Sequence, residues 1–97
     1  MRSLARSLVL EERISTTEAK AKTLRPFIER LVSYAKKNTL ASRRLTKSTL
    51  GDDEAVKKLF ESIGPRYTER AGGYTRIVKR TARGTNDARK LAYIAFV

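Results

Sequence analysis

The chain has no cysteine and no histidine among its 97 residues. Without thiols there is no disulfide, no zinc knuckle and no thiol nucleophile, and without imidazole there is no histidine acid–base pair. The lack of cysteine fits a reducing cytosol. Acid is scarce as well: Asp and Glu total 10 against 22 Lys and Arg, for a formal net charge of +12. Such an imbalance repels itself in isolation, and a polyanion removes the cost. Nucleic acid is the first candidate partner, an anionic membrane surface the second and acidic proteins the third. No stretch approaches the roughly 20 apolar residues of a membrane span. Arg2 and Arg6 interrupt the apolar set between Met1 and Leu10, so no signal-peptide core forms there. Neither G-x-G-x-x-G nor G-x-x-x-x-G-K-[ST] occurs, which leaves nucleotide hydrolysis without support. There is no internal repeat, low-complexity tract or linker.

A hydrophobic fraction of 40% argues for a folded domain decorated with charge, not a basic tail. A chain this short buries only about 60 to 65% of its unfolded surface and has material for one small core, so residues 1–97 are expected to form a single domain. Met1, Leu4, Ala5, Leu8 and Val9 share one stripe at helical spacing and predict a helix over about 2–11. The period then changes, and Ile14 to Thr17 suggest a short strand or extended crossover. Ser15 and Glu18 form an S-x-x-E capping box for the longest helix, whose stripe runs through Ala19, Leu24, Phe27, Ile28, Leu31, Val32 and Ala35 to near Lys37 and Asn38. Pro26 falls inside it, giving either a kinked single helix, the favoured reading, or a restart at Leu24 with Thr23 as cap. Thr39 caps a third helix closed by Gly51. Asp52 or Asp53 opens a fourth, with Ala55, Val56, Leu59, Phe60 and Ile63 as its stripe and Gly64-Pro65 as its stop. A cationic loop leads to a strand at Tyr74 to Lys79, a polar loop over Thr81 to Lys90 and an apolar strand at Leu91 to Val97. The two strands pair as a hairpin, and the last, apolar at almost every position, should be covered on both faces.

The charge is uneven. Residues 1–50 hold twelve basic and four acidic side chains for a net +8, residues 51–63 net −2 and residues 64–97 net +6. The fourth helix is thus the face turned from a polyanion. Arg43, Arg44 and Lys47 share a helix, with Arg43 and Lys47 on one face and no acid at i±4. Lys36 and Lys37 are explained equally by phosphate contact and by the helix macrodipole. The cluster Asp52-Asp53-Glu54 looks like a divalent-metal nuclease site, but acids at a helix N-terminus are better explained by capping and the dipole. No metal, cofactor or small-molecule substrate is expected.

The stretch from Arg70 to Lys79 carries the strongest functional signal. Gly72-Gly73 can take positive φ and admit another chain to the backbone, with Arg70, Arg76 and Lys79 around it. Tyr67 and Tyr74, set among cations, either touch RNA, by stacking on an unpaired base or packing over a backbone sugar, or pack on the hairpin edge. With its flanks, this stretch resembles the bacterial large-subunit ribosomal protein family L-seventeen. The collinear blocks are Leu8-Val9, Glu12-Arg13-Ile14, Thr16-Thr17, Ala19-Lys20-Ala21-Lys22 with Leu24-Arg25, Ala41-Ser42-Arg43-Arg44-Leu45, Lys58-Leu59-Phe60, Gly64-Pro65-Arg66-Tyr67, Arg70 to Ile77, and Leu91-Ala92-Tyr93-Ile94.

The resemblance implies an α+β fold: a single two-layer α/β domain, with about four helices packed on a small sheet that includes a C-terminal hairpin. It also implies a structural, non-catalytic role on large-subunit (23S-type) RNA near the polypeptide exit, among neighbouring large-subunit proteins and away from membranes. The expected location is cytoplasmic and ribosome-bound, with plastid and mitochondrial ribosomes left open. The resemblance implies a basic extension, containing glycine and histidine, ahead of the first helix, and this sequence starts inside that helix. The expected RNA contacts are Arg66, Tyr67, Arg70, Gly72, Gly73, Tyr74, Arg76 and Lys79, then Arg43, Arg44 and Lys47, then Lys20, Lys22 and Arg25, and last Arg2 and Arg6. The main rival is a general nucleic-acid-binding regulatory or architectural module. A metal-dependent nuclease and a membrane-attached helix are weaker rivals.

Overall fold

A computed structural model describes residues 1–80 and 90–97. Helix α1 (Arg2–Glu11) buries Ala5, Leu8 and Val9 and ends at Glu12, whose left-handed φ of 65° turns the chain into strand β1 (Arg13–Thr17). The capping box expected from Ser15 does not form. Thr17 is the N-cap of α2 (Glu18–Lys37), its hydroxyl accepting from the Lys20 amide, while Ser15 sits in the strand opposite Tyr93. Helix α2 is a single 20-residue helix with Pro26 exposed on its outer side. Thr23 is no cap, since its hydroxyl donates to the Ala19 carbonyl one turn back. Asn38, at φ 48°, ends the helix in the left-handed conformation that asparagine tolerates better than most residues.

Helix α3 (Leu40–Leu50) begins with a reciprocal cap between Thr39 and Ser42 and closes on Gly51, as expected. Asp52 caps α4 (Asp53–Lys58), accepting from the Glu54 amide. The expected stop at Gly64-Pro65 is absent. The rod continues through a π-helical turn (Leu59–Ile63) into a short α5 (Gly64–Arg66). Gly64 is there for contact: a Cβ on it would lie 3.0 Å from the Ala35 Cβ and 3.2 Å from the Ala35 carbonyl. The rod therefore lies directly on the backbone of α2. Pro65, in the first turn of the new segment, has no amide to lose.

Strands β2 (Thr75–Arg80) and β3 (Leu91–Phe96) form the expected antiparallel pair, and the polar loop between them lies, for residues 81–89, outside the described residues. Strand β1 joins the other edge of β3, so the sheet order is β1-β3-β2, antiparallel throughout. One face carries Ile14, Ile94 and Ile77 in a row, with Ala92 and Phe96 beside them, and closes the core under α2. Helix α2 also touches α1, α3, the π turn and α5. Its buried residues Ala21, Leu24, Ile28, Leu31, Val32 and Ala35 form the spine of a continuous core that joins helices and sheet.

The other face of the sheet departs from expectation. Among the described residues no element covers it, and Leu91 is 40% exposed. The apolar run of β3 survives there because the outward positions are small or amphipathic, Ala95 and Tyr93. The Arg13 guanidinium lies over the Tyr93 ring.

Candidate nucleic-acid interface

The loop between α5 and β2 is built from inside by aromatics and from outside by cations. Tyr67 and Tyr74 are 4% and 2% exposed, with rings 5.3 Å apart, and Tyr67 also packs on Phe96. The Tyr67 hydroxyl donates to the Val97 carbonyl. Of the two roles open to these tyrosines, packing is the one the fold uses, and neither ring offers a face to a base. The loop is then clamped to α2. Glu29 accepts from the Tyr74 amide at 3.1 Å, and from the Thr75 amide and hydroxyl at 2.9 and 2.8 Å. Lys36 donates to the Arg70 carbonyl and to the Tyr74 hydroxyl. Arg25 reaches the Thr75 carbonyl at 3.3 Å. Glu29 and Lys36 thus hold the loop's shape. Helical spacing places both on one side of α2, but only the tertiary path of the loop makes them its anchors.

What the clamp presents is the turn at Gly72-Gly73. Gly73 has φ 66° and needs to be glycine, whereas a Cβ on Gly72 would meet nothing within 4 Å. Arg70 is exposed, its Nε donating to the Gly72 carbonyl, and Arg76 is exposed without a described partner. Beside the turn, Ser33, Lys36, Lys37, Ala71 and Tyr74 line an open cleft at the C-terminal end of α2. Arg43 and Arg44 follow on the next helix. Arg44 is exposed, and Arg43 stacks over Phe60 and donates to the Asn38 side chain.

The remaining expected residues sort by whether an acid already answers them. Lys47 pairs with Asp53 at 3.2 Å, an acid brought by the turn after α3 and invisible to i±4 spacing. Arg66 and Lys58 both bind Glu12, and Lys22 and Lys79 both bind Glu18. Three acids thus answer five cations, leaving the Glu12 and Glu18 clusters cationic and the Lys47–Asp53 pair neutral. The hydrogen bond from Arg66 holds the Glu12 carboxyl below the usual carboxylate range and raises Arg66 in return. The hydrogen bond from Lys22 lowers Glu18. Lys20 is exposed beside Met1, Leu4 and Thr23, near the N-terminal end of α2. Arg2 donates to the Ser48 carbonyl, and Arg6 is half-buried with its Nε lacking a described acceptor.

Cations therefore gather at both ends of α2. Lys20 and Lys36 are sixteen residues apart, about 24 Å along a helix. The acidic surface of α4 carries Asp53 and Glu54. No group of three acids, among the described residues, is placed to hold a metal ion. Asp52 is the N-cap of α4, its side chain accepting from the Glu54 amide. No helix among the described residues is long and apolar enough to cross a membrane.

The family model for Ribosomal protein L17 matches residues 1–97. This chain belongs to that family. The large ribosomal subunit protein bL17 of Hydrogenobaculum sp. (strain Y04AAS1) is 58% identical over 97 residues, which is the whole of this chain and 82% of that protein. The bL17 of Fusobacterium nucleatum subsp. nucleatum is 47% identical over the same 97 residues and 83% of its own length. That of Thermomicrobium roseum is 51% identical over 96 residues, 99% of this chain and 81% of the relative. For an L17-family chain, the residues that spacing did not single out are Arg13, Arg80 and Tyr93 on the open sheet face. No local signal marks them as one face, since LAYIAF is apolar throughout and the pairing of β1 with β3 is long-range.

Proposed function

We propose that this protein is a structural constituent of the large ribosomal subunit, binding large-subunit (23S-type) RNA through its phosphates and holding separate RNA segments at a set spacing. The observation that carries the reading is the placement of cations at both ends of one rigid helix. Lys20 is at one end of α2, with the Lys36, Lys37, Arg43, Arg44 and Arg70 group at the other. Each cation displaces condensed counterions from the RNA, and the helix fixes the distance between the two groups. The role is architectural, with no catalytic step assigned to the chain. Its placement near the polypeptide exit, among other large-subunit proteins on cytoplasmic ribosomes, rests on the family resemblance.

The test is sucrose-gradient fractionation of the tagged chain from the cells that make it, repeated after washes of rising salt. Stoichiometric migration with the large subunit through moderate salt is the expected result. Recovery in the light fractions, or on DNA, overturns the reading in favour of a general nucleic-acid-binding module.

A further inference from the structure

The two cation groups leave the outer face of the sheet unused. Its cross-strand rows are Arg13–Ala95–Arg76, Ser15–Tyr93–Val78 and Thr17–Leu91–Arg80. None of the three strands contains an acidic residue. Among the described residues neither Arg13 nor Arg76 is in an ion pair, and Arg80 spends one donor on the Ser15 hydroxyl at 3.1 Å. At the centre, the Arg13 guanidinium lies 3.9 Å from the centroid of the half-exposed Tyr93 ring. A planar cation is thus already stacked on an aromatic, in the middle of an acid-free surface.

Resting on the RNA-binding reading above, we propose that this face is an RNA contact in its own right. It takes an unpaired base on the Arg13–Tyr93 stack and the flanking phosphates on Arg76 and Arg80. The chemistry favours RNA over a protein neighbour. A protein neighbour would have to meet three clustered guanidiniums with acceptors of its own, since a buried charge left unpaired is costly. A single strand of RNA brings phosphates and π faces together, and bases stack on aromatic rings and on guanidinium planes alike. Arg76 joins this face to the Gly72-Gly73 turn, so one RNA segment can run from the turn onto the sheet.

The test uses the full chain and protein-free large-subunit RNA. Tyr93→Leu keeps the bulk and removes the ring, and is expected to weaken binding about tenfold at fixed salt without changing the salt slope. Arg13→Gln with Arg80→Gln is expected to weaken binding and to lower the log–log salt slope by roughly 0.7 to 0.9, the share of the one phosphate contact on Arg80. Nitration of Tyr93 in the unaltered chain needs no variant, and RNA alone should protect the ring. Wild-type affinity in these variants, or nitration as fast in the complex as in the free chain, overturns the proposal and assigns the face to a protein neighbour. Arg44→Ala with Arg70→Ala, both off the sheet, separates the two readings. If that variant binds weakly while the sheet variants bind normally, only the sheet proposal falls. If all bind normally, RNA binding by this chain falls with it.

Discussion

Gly64, Gly72 and Gly73 lack a side chain for three separate reasons, and single substitutions tell them apart. Gly73 is held at φ 66°, where an L-residue costs about 1 to 2 kcal/mol, so Gly73→Ala should lower the melting temperature. Gly72 has neither a positive φ nor a neighbour within 4 Å of its missing Cβ. Gly72→Ala should leave stability unchanged or raise it by about 0.4 to 1 kcal/mol through the unfolded chain. If the bare backbone serves an approaching phosphate, the same substitution weakens RNA binding in a filter assay while the melt holds. A loss of stability equal to that of Gly73→Ala would show that the fold itself needs this glycine. Gly64 is the packing case. Alanine there sets overpacking of about 1 to 3 kcal/mol against about 1 kcal/mol of regained helix propensity. Valine removes the ambiguity: its branched side chain meets the Ala35 backbone, which cannot yield. Gly64→Val should cost about 2 kcal/mol, lowering the melting temperature by about 8 to 16 °C.

At the scale of elements, two carboxylates join parts of the chain that have little else in common. Glu29 ties α2 to the start of β2 by accepting three hydrogen bonds, two from the amides of the buried Tyr74 and Thr75. Glu29→Ala leaves those amides without partners, a cost of about 1 to 3 kcal/mol. Hydrogen exchange should quicken at Tyr74 and Thr75 while Ile94, in the central strand, stays protected. Unchanged exchange at both amides would mean that the clamp does not hold the turn. Glu12 ties the α1–β1 corner to Lys58 and Arg66 of the rod. Its folded pKa is lowered, chiefly by the Arg66 hydrogen bond. The pair therefore stabilises fully above the unfolded value of about 4.3, and that contribution disappears as pH falls through the depressed folded value. Melts between pH 6 and pH 3 should show a smaller acid loss for Glu12→Gln than for the unaltered chain. The helices were largely legible because their stripes and caps are local: Thr39, Gly51 and the Ala55 to Ile63 stripe all do what spacing implies. Ser15 and Gly64 misled because tertiary structure overrode a local signal, strand pairing with Tyr93 in one case and contact with Ala35 in the other.

The whole molecule is a slab of 49 × 27 × 18 Å, extended along one direction, which spreads its cations over more than one surface. The sequence made the cationic excess and the Gly72-Gly73 turn legible. It could not say which cations are already spoken for, because the acids that answer Lys47, Lys79 and Arg66 come from other elements. Nor could it place the open sheet face, since the position of β1 beside β3 is a long-range pairing. Those pairings decide how binding should respond to salt. If the proposed RNA contacts hold, replacing Arg70 and Arg76, which have no described acid partner, removes two phosphate contacts. The slope of log affinity against log salt should therefore fall by roughly 1.4 to 1.8, at about 0.7 to 0.9 per contact. Lys47→Ala and Lys22→Ala remove cations that an acid already holds, at 3.2 and 3.0 Å, so each should change the slope by much less. Measured on large-subunit RNA across a salt series, a larger loss from the paired lysines than from the two arginines would show that the RNA breaks these ion pairs on binding, and the division of the surface into free and answered cations would fail.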